Sequence, residues 1–188
     1  MRRSTMRRRA RMLLLLPVVA AAATATSDAA QWPLFLGTNV PWHWFGYDIG
    51  GGAWTPEWFG ARFKAVSGRQ NVQRVFLHAD GRASPHFDER GFVVGLAQPQ
   101  HGGVSAFGRE LQALVALAAE HRLVLQLCLW SFDACNDNGF PIRSDLISDV
   151  EKTRSYIENA LLPLLSLLAE AGCEHSGCIL EIFNEPEW

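Results

Sequence analysis

The residues best suited to chemistry stand in the closing run, residues 179–188 (ILEIFNEPEW). The run carries three carboxylates, Glu181, Glu185 and Glu187, all at odd-numbered positions. Carboxyl groups move protons, and two of them with separated acidities can serve as acid and base, or as acid and nucleophile. The run is apolar up to Phe183 and reads as a strand, whose alternate side chains point to opposite faces. Glu181, Phe183 and Glu185 then share one face, and Leu180, Ile182 and Asn184 the other. The apolar pair Leu180 and Ile182 suits a face covered by helices. Glu181 is therefore expected to point inward, with Glu185 at the C-terminal mouth of the strand.

Three further apolar runs carry matching patterns. In residues 72–78, Val75 and Leu77 suit the helix-facing side, and Arg74, Phe76 and His78 the inward side. An inward arginine is costly unless an acid pairs with it. Glu181 or a catalytic carboxylate would serve, either in a site or in a core ion pair. In residues 123–130, Gln126, Cys128 and Trp130 oppose Leu125, Leu127 and Leu129, so Trp130 is expected at the mouth, as a platform for a sugar ring or as a core tryptophan. The first run, residues 34–39, leads into Trp42, Trp44, Phe45 and Tyr47. Flat aromatic faces bind the apolar C–H faces of sugars, but the same residues could plug the opening.

Helical patterns separate these strands. Thr55 to Val66 opens on Thr-Pro-Glu, a capping residue followed by proline at the first helical position. Ser105 to His121 repeats apolar residues at helical spacing. Asp145 to Ala171 is a longer helical stretch that Pro163 is expected to kink or split. Alternating strands and helices predict parallel βαβ units. Two long inserts, residues 79–104 and 131–144, follow strand ends, where a (β/α)8 barrel builds its active site. The competing doubly wound fold lacks support: no glycine-rich phosphate loop follows the first strand, and Gly50, Gly51 and Gly52 come too late for one.

Composition narrows the function classes. The chain has 188 residues, enough for one ordinary domain, and 48% of them are hydrophobic. Residues 1–12 hold six arginines, an apolar run follows from Leu13, and small residues come next, the order of a signal peptide. The predicted organisation is a signal peptide over 1–29 and a domain over 30–188, and the expected location is extracellular. Without the six arginines and Asp28 the remainder has 11 basic and 18 acidic residues. That balance argues against a nucleic-acid partner. The apolar run is too short for stable membrane insertion. Of the four cysteines, Cys173 and Cys178 could close a small loop, Cys128 reads as a buried thiol, and Cys135 is expected to lack a partner.

Asn184-Glu185-Pro186 at the end of an apolar strand resembles the fourth-strand signature of the (β/α)8 retaining glycosidases. With Arg74 on the second strand and Asn39 at the end of the first, the domain resembles the N-terminal half of glycoside hydrolase family 5, its β-mannanase-like members above all and cellulases next. The resemblance implies a TIM-type barrel of which about four βα units are present, and hydrolysis of β-1,4 bonds in mannan or a cellulose-like polysaccharide. It implies Glu185 as acid/base, Asn184 as the partner of the sugar 2-hydroxyl, and Arg74 beside them. Asn39, Trp42, Trp44, His78 and Trp130 are the expected substrate-binding residues. No metal or cofactor is expected. Retaining hydrolysis uses two carboxyl groups about 5–5.5 Å apart. The resemblance places the nucleophile near the end of a seventh strand, beyond residue 188, so the expectation is a truncated chain, inactive alone. The alternative is a non-catalytic carbohydrate-binding or partner-assembled half barrel.

Overall fold

The structure, a computed structural model, describes residues 34–135 and 145–185. The signal peptide expected over 1–29 and the carboxylate of Glu187 lie outside these residues, as does the side chain of Cys135. The strands among them are β1 (Gly37–Asn39), β2 (Val72–Ala79), β3 (His86–Phe87), β4 (Val93–Gly95), β5 (Val124–Trp130) and β6 (Cys178–Phe183). Four of these form one parallel sheet in the order β1-β2-β5-β6. All four coincide with the apolar runs of the sequence. The antiparallel pair β3–β4 was not expected. It sits inside the insert 79–104 and turns what reads as a long loop into a hairpin.

The sheet is two-faced. Val75, Leu77, Leu125, Leu127 and Leu129 are buried in a single core with Phe59 and Phe63 of α1 (Pro56–Val66) and Phe107, Leu111, Leu114 and Val115 of α2 (Gly103–Glu120). Burying side chains of this size contributes about 1.5–3 kcal/mol each. Helix α1 starts at Pro56 as expected. Thr55, however, makes no side-chain cap; its hydroxyl donates to the Ala53 carbonyl at 3.0 Å instead.

The third helical stretch is split into α3 (Asp145–Ser148), α4 (Val150–Tyr156), a π-helical turn (Ile157–Leu161) and α5 (Leu162–Glu170). Asp149 caps α4, accepting from the amides of Glu151 and Lys152. The π turn lies just ahead of Pro163. Proline has no N–H and its ring crowds the preceding turn, so the wider turn is the local answer to that clash. Leu164 and Leu168 of α5 complete the core. A short helix, α6 (Cys173–Ser176), leads into β6, and a disulfide joins Cys173 to Cys178 across it. Among the described residues no helix is long and apolar enough to cross a membrane.

Register sets what the other face presents. Asn39 lies beside Arg74, Arg74 beside Gln126, and Cys128 beside Glu181. Neighbours in a parallel ladder share a face, so these polar residues form two adjacent rows on one face of the sheet, the side away from the apolar core.

Candidate active site

Arg74 is the hub of that polar face. Its Nε donates to Glu181 Oε2 at 2.7 Å and its Nη2 to Glu181 Oε1 at 2.5 Å, a two-pronged ion pair. Gln126 Nε2 donates to the same Glu181 Oε2 at 2.7 Å. Arg74 Nη2 also donates to Asn184 Oδ1 at 2.9 Å, and Nη1 reaches Asn39 Oδ1 at 3.5 Å. The guanidinium lies over the Phe76 ring, 4.7 Å from its centroid. The inward arginine of the sequence thus has its acid, and it is Glu181. This hydrogen-bonded ion pair lowers the pKa of the Glu181 carboxyl and raises that of Arg74. Cys128, packed against the pair, is a buried free thiol that burial pushes up to about 12, so it is not a nucleophile at neutral pH.

Alternation, which places Glu181 correctly, fails at the strand ends. Parity puts Asn184 on the helix-facing side with Leu180 and Ile182. Its amide instead turns to Arg74, because β6 ends at Phe183 and the chain leaves the extended conformation there. The Asn184 N–H donates to the Trp130 carbonyl at 2.8 Å, which anchors the turn to β5. Glu185 follows with φ +52°, exposed at the end of the strand. A left-handed backbone at a non-glycine residue costs on the order of 1–3 kcal/mol and is typical of functional positions.

Two expected substrate contacts are placed elsewhere. His78 is fully buried, its Nδ1 2.9 Å from the Ser84 hydroxyl, and burial lowers its pKa to about 3. Trp130 is 3% exposed and is packed by His78 at 4.8 Å and Tyr156 at 5.3 Å, between ring centroids. Further chain packed on the sheet could only bury them more, so neither presents a face to a sugar here. The physical reason is a register irregularity between β2 and β5, from Phe76 to Ala79, with Ala79 at φ +54°. Beyond Phe76, strict alternation no longer says which side a residue faces.

Trp42 and Trp44 do reach the surface, Trp44 at 56% exposure. Trp42 packs edge-on against Phe45 at 4.7 Å and Phe76 at 5.6 Å, which places it beside the Arg74 cluster. The buried carboxylate of Asp48, missed in the sequence, holds this loop: it accepts from the amides of His43 at 2.7 Å and Trp44 at 2.9 Å. Only its position four residues after Trp44 hinted at such a turn-forming role. Asp48→Ala is expected to leave both amides without their acceptor, cost about 2 kcal/mol in a denaturant titration, and increase quenching of tryptophan fluorescence by acrylamide. The loop after β2 is held in a similar way. Arg82 makes a two-pronged ion pair with Asp80 and lies 4.8 Å from the Phe45 ring centroid, tying the first two strand-end loops together. The hairpin is fixed to the helical layer by Val93 N–H to Ser155 Oγ at 3.0 Å and Asn159 Nδ2 to the Val93 carbonyl at 2.8 Å.

A parallel α/β sheet, an aromatic-rich loop after β1, and a group formed by Arg74 of β2 with Asn184 and Glu185 just past β6 define the candidate site. No protein-family model matches the chain. Individual relatives do, and by them the chain is similar to part of the glycoside hydrolases of β-mannanase type. It is 30% identical over 161 residues, 82% of its length, to a mannan endo-1,4-beta-mannosidase of Cryptopygus antarcticus, and 28% identical over 117 residues to one of Mytilus edulis. The crystal structure of the beta-1,4-D-mannanase from Cryptopygus antarcticus superposes with a TM-score of 0.70 at 29% identity, over 82% of this chain and 40% of that one. The beta-1,4-mannanase of the sea hare Aplysia kurodai superposes with a TM-score of 0.68 at 26% identity, over 82% of this chain and 42% of that one. The chain spans 38% and 29% of the lengths of the two sequence relatives.

Proposed function

We propose that this chain supplies the acid/base side of a retaining β-1,4-mannanase site, on the first four βα units of a (β/α)8 barrel. One observation carries the reading. Arg74 and Asn184, from strands separated by more than 100 residues, meet at 2.9 Å beside Glu185 at the mouth of the sheet. This occurs in a chain whose relatives are named mannanases. In this reading Glu185 protonates the leaving oxygen and then activates water, and Asn184 holds the sugar 2-hydroxyl. Trp42 and Trp44 supply the apolar wall, with Asn39 near the ring that reacts. Glu181 is engaged by Arg74 and Gln126, so the attacking carboxylate comes from a strand outside the four described. The basic and apolar address at residues 1–29 directs the protein to the outside of the cell, where polysaccharide is met.

The test joins residues 30–188 to the remaining strands of the Cryptopygus antarcticus relative and measures release of reducing sugar from mannan, cellulose and xylan. Hydrolysis of mannan well above the other two is expected from the joined protein, and none from residues 30–188 alone. Binding of manno-oligosaccharide without turnover by the joined protein would replace the enzyme reading with that of a carbohydrate-binding module.

A further inference from the structure

We infer that Glu181, braced by Gln126, is a positioning residue that sets the orientation of the Asn184 side-chain amide through Arg74. The inference deepens the mannanase reading and rests on it for the identity of the sugar. A side-chain amide is donor at one end and acceptor at the other, and its neighbours decide which end faces a ligand. Here Arg74 Nη2 donates to Asn184 Oδ1, so the Nδ2 donor is turned away from the arginine. An arginine without an acceptor of its own could give way and let the amide reverse. Arg74 cannot. Two of its N–H groups are fixed by Glu181 in the guanidinium plane, and that plane is covered on one face by Phe76. Pinning two prongs of a rigid fork aims the remaining ones, and one of these meets Asn184. Gln126 donates to Glu181 Oε2, which stops the carboxylate from rotating. The chain of control is therefore Gln126 to Glu181 to Arg74 to Asn184. Glu181 lies four residues before Glu185 on the same strand, below the mouth. It acts on the sugar only through the other two.

A core ion pair with no such role would stabilise the fold and leave the amide indifferent, and the experiment separates the two. The protein is labelled with 15N, and the Asn184 side-chain NH2 signals are assigned by their absence in Asn184→Ala. Wild type is expected to give one sharp pair. Glu181→Gln, which keeps the shape but removes the charge and offers Arg74 an amide, is expected to broaden or double it. Gln126→Met, which keeps the ion pair and frees the carboxylate, is expected to do so more weakly, and provides the reading if Glu181→Gln fails to fold. Unchanged Asn184 signals in folded variants would overturn the inference. A second readout uses binding of mannotriose against its 2-deoxy analogue. Wild type should prefer the hydroxylated sugar by about fivefold, the size of one net hydrogen bond. Glu181→Gln should bring the ratio close to one, and Glu181→Asp should restore part of it. A ratio unmoved by Glu181→Gln counts against the inference. Absence of any mannotriose binding by wild type counts against the mannanase reading alone, and the amide signals still decide the inference.

Discussion

Replacing Glu185 by glutamine is expected to lower mannan hydrolysis by the joined protein on the order of 10²–10⁴-fold, with KM little changed. Glutamine keeps the size of the side chain and its ability to meet a sugar, but it has no proton to deliver to the leaving oxygen. The exposure of Glu185 at the end of β6 means that the substitution removes no core contact, so the folded structure should persist. The choice of leaving group tells whether proton delivery is the lost function. An aryl mannoside with an acidic phenol needs little protonation to leave, so its glycosylation step should be much less affected than that of mannan. The burst of phenol on mixing would report this step directly. An equal loss on both substrates would remove Glu185 from the acid role. Glu185→Gln and Asn184→Ala should also differ: the second weakens contact with the 2-hydroxyl and leaves proton delivery in place.

Much of this arrangement was legible in the sequence, and the part that was not fails for identifiable reasons. The four parallel strands were readable because each is an apolar run of three to eight residues between loop-forming segments. The inward face was readable as far as alternation holds, which covers Arg74, Gln126, Cys128 and Glu181. Long-range electrostatics added the pairing of Arg74 with an acid, since a partly buried guanidinium must find one. Alternation then broke at three positions. The irregularity after Phe76 carried His78 into the core, Trp130 was covered by His78 and Tyr156, and the end of β6 turned Asn184 toward the arginine. Each break lies at a strand terminus, where the ladder no longer dictates direction and loop contacts take over. Asp48 and the Asp80–Arg82 pair were invisible for a related reason. Their partners are backbone amides and ring faces in loops, and no periodicity announces those. The π turn before Pro163 was foreseen only as a kink, because sequence gives the clash and not the way the chain relieves it.

Arg74→Met should be among the more damaging single substitutions in the described fold outside the apolar core. Methionine keeps the bulk of the stem over Phe76 but takes away the cation, leaving Glu181 with Gln126 and Cys128 and leaving Asn184 Oδ1 without its donor. Breaking a fully buried pair costs about 3–5 kcal/mol. Here the two side chains keep 18% and 23% of their exposure, so water screens the orphaned carboxylate and about 2 kcal/mol is the expected loss. The pH dependence identifies the source. The ion pair holds the Glu181 carboxyl below its ordinary range in the folded state. Its stabilisation is therefore complete above the ordinary carboxylate range and is lost as pH falls through the lowered folded value. The gap between wild type and Arg74→Met should be full at pH 7 and close steadily in acid, as Glu181 becomes neutral in both proteins. Urea titrations at several pH values measure that gap. The double variant Arg74→Met, Glu181→Met should regain most of the loss at pH 7, because two apolar neighbours replace an unpaired charge. A gap that stays constant from pH 7 into acid, or a double variant no better than the single one, would assign the cost to packing around Phe76 and not to the ion pair.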